Sequence, residues 1–212
     1  MDISKKALYV AFEGVEGSGK STLLEEVRKD LELKEYKVFT VREPGTTDLA
    51  EKIRELILNY EIDIKTELML FMSSRFDLIN KVIKRVIEEG KYDFIMSDRS
   101  LYSSVVYQGY CGGIGLEKVL RLHEVLLDVT PDVAIFLDIH PKKSVKRKDK
   151  EQINKFELKE NNYHNKVYEG YKILADMGVI DIVNADRSLK EIKEDVENNI
   201  LCKYKEVILQ GI

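Results

Sequence analysis

The fold is decided by the stretch Gly14-Val15-Glu16-Gly17-Ser18-Gly19-Lys20-Ser21-Thr22, which fits the pattern G-x-x-x-x-G-K-[ST]. It follows the apolar run 7–12 and precedes a helical pattern. Glycines let the backbone curl so that successive N–H groups point at a phosphate, and the following helix adds its positive N-terminal end. The sequence therefore predicts that residues 14–22 bind a nucleoside triphosphate, with Lys20 on the β and γ phosphates and Ser21 on Mg²⁺. The alternative is a glycine-rich turn that binds nothing.

Composition limits the class of protein. The chain has 212 residues, 44% of them hydrophobic, and lacks a Pro/Gly/Ser-rich linker, so we expect one domain over residues 1–212. A net charge of −4 argues against nucleic acid or a membrane surface as the main partner. Cys111 and Cys202 lack metal-ligand spacing and suit a reducing compartment. The apolar run 7–12 is too short for a signal peptide or a membrane span, so we expect a cytoplasmic protein.

Strand-like apolar runs alternate with helical patterns along the whole chain. The predicted strands are residues 7–12, 36–41, 93–97, 132–137 and 180–183. After the helix that follows the glycine-rich loop, helices are predicted at 49–58, 65–89, 116–127, 161–177 and 189–209. Such alternation predicts an α/β fold with a five-stranded parallel sheet flanked by helices. Ligands should then bind at the carboxyl ends of the strands.

Two of these strand ends carry guanidinium groups. The second strand ends in Arg42-Glu43-Pro44-Gly45-Thr46-Thr47, and the third in Ser97-Asp98-Arg99-Ser100. Arginine captures phosphate in a bidentate manner, and the Asp98 carboxylate suits Mg²⁺ or its water. Arg42 and Arg99 together predict a second phosphate site. Taken singly, each arginine is also typical of a surface salt bridge.

The long third helix carries an aromatic ring and a guanidinium on one face. Phe71 and Arg75 are four residues apart, so both project from the same side of the helix. A ring and a guanidinium can stack on and hydrogen-bond a nucleobase. The alternative is that Phe71 belongs to the hydrophobic core. After Arg99, a helical turn would aim Ser104 and Tyr107 at the same pocket.

Taken together, these motifs resemble the thymidylate kinases. The matching segments are residues 12–22, 42–45, 98–99 with 103 and 107–109, 131–132 and 137–138. The similarity runs from about residue 7 to the last strand. It implies a doubly wound P-loop kinase fold, a homodimer, and Mg²⁺-dependent phosphoryl transfer from ATP to dTMP, giving dTDP and ADP on the route to dTTP.

The resemblance also implies roles for individual residues. Residues of the loop bind ATP: Gly14, Val15, Glu16, Gly17, Ser18, Gly19, Lys20, Ser21 and Thr22. Arg42 and Arg99 would hold the acceptor phosphate, and Asp98 would act with Ser21 at the metal. A weak match places residues 184–188 beside adenine. A tight turn with a cis Glu43-Pro44 peptide is also implied.

The nucleoside side of the acceptor is assigned in the same way. Phe71 would stack on thymine, Arg75 would reach a ring carbonyl, and Ser104 would lie near the ring N–H. Tyr107 would crowd the 2′ position of the sugar, and Glu16 would contact the sugar. Further substrate-binding residues are Pro44, Ser103 and Gln108.

This sequence departs from the family pattern at two places. Thr46 stands where a second glycine is usual. The predicted lid, residues 142–157, is strongly basic, but its residues 154–157 replace a frequent Asp-Arg pair. Because the loop has no arginine at positions 15–18, another cation should act on the transferred phosphoryl group, and the resemblance implies that the lid supplies it. Arg147 is our choice for this catalytic role, with Lys150 and Lys155 as alternatives.

Two other functions compete with dTMP phosphorylation. A deoxynucleoside kinase would surround a 5′-hydroxyl with Glu13 and residues 98–100, but two acceptor arginines argue against an acceptor that has no phosphate. A regulatory NTP-binding switch would carry an Asp-x-x-Gly switch and an Asn-Lys-x-Asp guanine motif, and neither occurs in this sequence.

Overall fold

The structure is a computed structural model that describes residues 7–144 and 161–210. Within these ranges a parallel sheet has the strand order β2-β3-β1-β4-β5. The strands are β1 Leu8–Glu13, β2 Val38–Arg42, β3 Phe94–Asp98, β4 Val133–Asp138 and β5 Asp181–Asn184. The predicted α/β fold with a doubly wound five-stranded parallel sheet is confirmed, and every strand lies within two residues of its predicted limits.

The helices follow the strands in alternation. They are α1 Lys20–Leu33, α2 Asp48–Asn59, α3 Ile64–Leu78, α4 Lys84–Glu89, α5 Leu101–Ser104, α6 Leu116–Leu126, α7 Pro141–Ser144, α8 Asn161–Asp176 and α9 Leu189–Gln210. The single helix predicted over residues 65–89 is helical throughout, but a π-helical segment, Ile79–Ile83, separates α3 from α4. A second π segment, Val105–Cys111, continues α5, so that Ser104 ends α5 and Tyr107 lies in the π segment.

The core lies on both faces of the sheet because its strands are covered on both sides. Along β1, Tyr9 packs in a cluster with Leu78 and Ile83 of the α3–α4 region. Its neighbours Leu8 and Val10 point to the other face and pack in a larger cluster that also contains residues of α1 and α9. Successive side chains of β1 thus point to opposite faces of the sheet, as expected for a pleated strand.

Strand register brings three polar side chains to one edge of the sheet. Phe12 of β1 is paired with Asp98 of β3, and Arg42 of β2 is paired with the same Asp98. Glu13 ends β1 one residue later. The phosphate loop therefore begins beside the ends of β2 and β3, where the sequence predicts the second phosphate site.

Candidate active site

A cavity of about 1290 Å³ opens at this edge of the sheet. It brings together most of the residues predicted to bind substrates: Glu16, Gly17, Ser18, Gly19, Lys20, Ser21, Thr22, Arg42, Pro44, Phe71, Arg75, Asp98, Arg99, Ser103, Ser104, Tyr107 and Gln108. Gly14 and Val15 belong to the same loop but do not line the cavity. The volume exceeds what one drug-sized ligand needs, so two nucleotides can share it.

The loop at residues 14–19 has the backbone of a phosphate cradle. Gly17 has a φ of +72°, and a Cβ there would come within 2.7 Å of the Ser144 carbonyl oxygen. Only glycine fits both constraints. The loop ends at Gly19, where α1 begins, so the helix N-terminus points its free N–H groups at the cavity.

Lys20 lies within the loop and is 6% exposed. Its Nζ donates to the carbonyl oxygens of Gly14 at 3.1 Å and of Val15 at 3.0 Å. Burial, together with the nearby Arg99 charge, lowers the pKa of Lys20 to about 8. A polyphosphate in the loop would bring opposite charge to this ammonium group and favour its protonated form.

Ser21 and Asp98 meet at the mouth of the loop, where the Ser21 hydroxyl donates to the Asp98 carboxylate. Both side chains offer hard oxygen atoms, which Mg²⁺ prefers. Among the residues that the structure describes, no cluster of three or more His, Cys, Asp or Glu side chains could hold a metal. This donor set fits Mg²⁺, which commonly takes one or two protein oxygens and completes its shell with phosphates and water.

Arg99 stands between the loop and the acceptor side. Its φ of +73° is unusual for a residue other than glycine. The backbone is held there because the Arg99 N–H donates to the Phe12 carbonyl oxygen at 3.0 Å, and the Ser97 hydroxyl donates to the Arg99 carbonyl oxygen at 2.5 Å. The guanidinium pairs with Glu16 and lies 5.4 Å above the Tyr107 ring.

The turn after β2 holds a second guanidinium. The Glu43-Pro44 peptide is cis, as the sequence predicts. Arg42 donates from Nη2 to both carboxylate oxygens of Glu51 of α2, at 2.7 and 2.8 Å. Thr46, the departure from the family pattern, has a φ of +78°, and its hydroxyl accepts from the Arg42 N–H at 2.9 Å. The threonine thus hydrogen-bonds the residue whose side chain faces the cavity.

Arg54 of α2 is a cavity-lining cation that the sequence reasoning missed. Its Nη1 donates to the Pro44 carbonyl oxygen at 3.3 Å. Burial and the neighbouring Arg42 charge lower the pKa of Arg54, as expected for cations that crowd together. Arg54 lies one helical turn after Glu51 and so returns to the same side of α2, but no local motif marks either residue.

At the inner end of the cavity, Arg75 is 3% exposed, and every N–H of its guanidinium has an acceptor. The Nε donates to Glu43 at 2.5 Å, and Nη2 donates to the Ser100 carbonyl oxygen at 3.0 Å. The Ser104 hydroxyl accepts from Nη1 at 3.2 Å and from Nη2 at 3.3 Å. The remaining Nη1 contact is with the ring of His123 of α6, at 2.8 Å.

His123 is fully buried, and no local sequence motif marks it. Its Nδ1 lies 2.7 Å from the Val119 carbonyl oxygen, to which only a protonated nitrogen can donate. Nε2 is therefore the acceptor for Arg75. Burial, and after it the Arg75 charge, lowers the pKa of His123 to about 3, so the ring is neutral near pH 7.

The opposite end of the cavity reaches the loop after β5, where the sequence places adenine. Ala185, Arg187 and Ile192 line this end. Arg187 is held by Asp195 at 2.5 Å and by the Asn184 carbonyl oxygen at 3.1 Å.

Most of the predicted lid lies outside the described residues, including Arg147, Lys150 and Lys155. Of its basic residues, Lys143 belongs to α7 and pairs with Asp186. In the described ranges, none of the helices is both long and apolar enough to cross a membrane.

A parallel sheet with a phosphate loop after its central strand, and arginines at two neighbouring strand ends, defines a P-loop phosphotransferase with a site for a second phosphorylated substrate. The family model described as Thymidylate kinase matches residues 12–196. A thymidylate kinase of Thermoanaerobacter sp. (strain X514) is 39% identical, over 78% of this chain and 82% of the relative.

Other relatives match over more of the sequence. The thymidylate kinase of Finegoldia magna is 37% identical over 87% of this chain and 93% of its own. That of Mycoplasma capricolum subsp. capricolum is 35% identical over 94% of this chain and 97% of its own. This chain therefore belongs to the thymidylate kinase family, as its motifs indicate.

The buried neutral His123 predicts an acid-dependent stability. Between its ordinary pKa of about 6.5 and the folded value of about 3, the unfolded chain binds a proton that the folded chain does not. The free energy of unfolding should therefore fall as the pH is lowered from 6.5, with a contribution of roughly 1.4 kcal/mol per pH unit from this residue. Urea unfolding at pH 6.5, 5.5 and 4.5 measures the slope.

His123→Gln should lower this pH dependence by about that amount, because glutamine does not titrate. The exposed His140, replaced in His140→Gln, serves as the matched control for loss of an imidazole at the surface. Parallel curves for the wild type and His123→Gln would contradict the buried neutral state.

Proposed function

We propose that this chain transfers the γ-phosphoryl group of ATP to dTMP, producing dTDP and ADP. The observation that carries the proposal is the placement of a phosphate loop and a second group of guanidinium side chains in one cavity. A triphosphate donor and a monophosphate acceptor would each meet cations there. The deoxynucleoside kinase and the regulatory switch are not favoured, because the family of this chain phosphorylates a nucleoside monophosphate.

The donor lies on the loop of residues 14–22. Loop N–H groups and the α1 N-terminus bind the phosphates, and the Lys20 ammonium adds charge at the β and γ groups. Ser21 and Asp98 would hold Mg²⁺, which when bound neutralises charge on the phosphate oxygens. The adenine would lie toward Ala185 and Arg187, at the other end of the loop.

The acceptor phosphate is held by Arg42 and Arg99, and the position of Arg54 adds a third cation. All three line the cavity, and two of them are paired with carboxylates, Arg42 with Glu51 and Arg99 with Glu16. The acceptor oxygen is already anionic, so the transfer needs neither a general base nor a covalent intermediate. The chain contributes alignment and positive charge, which are the main requirements of phosphoryl transfer.

The nucleoside is bound at the inner end. Phe71 is half-buried and lines the cavity, so its ring is available for stacking on thymine. Arg75 would donate to a ring carbonyl, with Ser104 beside it. Tyr107, packed under Arg99, would crowd the 2′ position of the sugar and disfavour ribose. Glu16, Pro44, Ser103 and Gln108 complete the acceptor site.

The lid is proposed to supply the last cation. Positions 15–18 of the loop hold Val, Glu, Gly and Ser, so the loop itself has no arginine for the transferred phosphoryl group. Arg147 offers a planar fork that matches two phosphate oxygens, unlike the lysines beside it. Lys150 and Lys155 remain alternatives, and activity measurements on alanine variants of the three residues separate them.

We further propose that the protein is a cytoplasmic homodimer. On α2, the large apolar side chains Leu49 and Leu56 are 46% and 45% exposed, and their spacing of seven residues places them on one face. Tyr60, which directly follows α2, is 61% exposed. Met69 of α3, the helix that packs on α2, is 48% exposed. An apolar face of this kind is typical of a subunit interface.

An acceptor panel tests the function directly. Purified protein with ATP and Mg²⁺ should form ADP most efficiently with dTMP among dTMP, dUMP, CMP, UMP, AMP, GMP and thymidine. Lys20→Ala should abolish turnover, because no neighbour replaces the ammonium charge. A coupled ADP assay measures both, and circular dichroism checks that the variant is folded. Turnover with thymidine but not dTMP would refute the proposal.

Arg42→Ala and Arg99→Ala should selectively weaken the use of dTMP. Each loses a guanidinium–phosphate pair worth on the order of 2 to 4 kcal/mol, so kcat/KM for dTMP should fall by roughly 30- to 1000-fold. The KM for ATP should stay within about threefold. Arg85→Ala removes a 76% exposed arginine of α4 and is the matched control. If a variant instead loses affinity for ATP, the arginine that it lacks belongs to the donor site.

Sedimentation equilibrium tests the dimer. The wild type should have about twice the chain mass of 24.6 kDa. Leu56→Glu should shift the mass toward one chain, because it places charge in the proposed apolar interface. Leu33→Glu alters an 83% exposed leucine at the end of α1 and should leave the mass unchanged. A monomeric wild type at micromolar concentration would exclude the dimer.

A further inference from the structure

His123 is a buried titratable residue beside the active site that the proposed reaction does not use. It lies on α6 and does not line the cavity, whereas Arg75, Glu43, Ser100 and Ser104 do. Its hydrogen bond to this group is the 2.8 Å contact between Nε2 and Nη1 of Arg75. The ring therefore meets the guanidinium from the side away from the cavity.

We propose that His123 is a positioning residue, which holds the guanidinium of Arg75 so that its edge toward Ser104 remains presented to the nucleobase. The ring can do this in only one tautomer. Because Nδ1 donates to the Val119 carbonyl oxygen at 2.7 Å, Nε2 carries a lone pair and accepts the Arg75 N–H. The helix backbone of α6 thus fixes which ring nitrogen faces the arginine.

A neutral acceptor suits the buried position beside Nη1 of Arg75 better than a second carboxylate would. The positive charge of Arg75 is already matched by Glu43, whose carboxylate accepts from Nε at 2.5 Å. Another buried anion would carry a desolvation cost without a second cation. An apolar side chain would leave one Nη1 N–H without an acceptor in a buried site. The imidazole satisfies that N–H and adds no charge.

The hydrogen bonds of the Arg75 guanidinium divide into those that stay in place and those that a bound base could replace. Glu43, the Ser100 carbonyl oxygen and His123 each take a separate N–H of the guanidinium. Ser104 alone accepts from both Nη1 and Nη2, at 3.2 and 3.3 Å. An arriving base carbonyl oxygen would therefore compete with Ser104, while the other three acceptors keep the guanidinium in its plane. Without His123, the Nη1 end would be free to turn away from the base.

A pair of amide variants isolates the contact. Asn is short, so His123→Asn can replace the Nδ1 contact with Val119 but cannot reach Arg75. Gln is one methylene longer, so His123→Gln brings an amide oxygen near the former Nε2. His123→Asn should raise the KM for dTMP by about tenfold with kcat and the KM for ATP each within threefold. His123→Gln should return the KM for dTMP to within about threefold of the wild type.

The comparison of the two variants separates positioning from a purely structural role. Both remove a buried imidazole ring, so a purely structural role would lower the melting temperature in both and leave the KM for dTMP of both at the wild-type value. That result, or equal KM values for dTMP in the His123→Asn and His123→Gln variants, would overturn the proposal.

The unaltered protein provides a second measurement, which needs no variant to fold. Two-dimensional ¹⁵N NMR of the imidazole rings should show His123 with a protonated Nδ1 and an unprotonated Nε2 at pH 7. A protonated Nε2 would overturn the proposal, because that nitrogen could not accept from Arg75. The positioning role rests on the proposed dTMP reaction. Absence of wild-type turnover with dTMP would refute that reaction, whereas the tautomer of His123 would still decide whether Nε2 accepts from Arg75.

Discussion

The architecture of the site depends on one buried carboxylate, that of Glu13. It ends β1, directly before the phosphate loop, and is fully buried. Its Oε1 accepts from the N–H and the hydroxyl of Ser100, both at 2.8 Å, and its Oε2 accepts from Ser103 at 2.7 Å and Tyr171 at 2.8 Å. A buried carboxylate is tolerated only with such donors. Glu13 therefore ties the phosphate loop, the segment after β3 and α8 together, which sets the spacing between the loop and the proposed acceptor-phosphate site.

Carboxylates also orient the cations around these elements, but at different depths. Arg75 and Glu43 form a fully buried pair, Arg99 and Glu16 are partly buried, and Arg42 with Glu51 lies at the surface. The cost of desolvating an ion pair rises with burial, and so does the rigidity of the pair. The most deeply buried arginine, Arg75, lies where we propose that the base binds. The most exposed one, Arg42, lies where we propose that the acceptor phosphate binds.

Local sequence patterns predicted the features that depend on chain neighbours. The alternation of apolar runs predicted the five strands, and the strand ends predicted where Arg42, Asp98 and Arg99 meet. The contact of Arg75 with His123 joins residues 48 positions apart, so no spacing rule could predict it. Arg54 was missed for a different reason, because an isolated arginine on a helix is usually solvated. The roles of the individual site residues and the catalytic part of the lid remain predictions.

The complete set of acceptors around Arg75 bears on the thermodynamics of base recognition. Side chains that must be ordered by a ligand cost about 0.5 to 1.5 kcal/mol each on binding. The hydrogen bonds of Arg75 are already formed in the folded chain, so for the proposed base contact that entropic cost would belong to folding rather than to binding. The end of the cavity where we propose that the base binds would then be a preformed template. A ring whose hydrogen-bonding edge does not match could not gain affinity by drawing Arg75 to a new position, so discrimination between bases would be built into the folded chain itself.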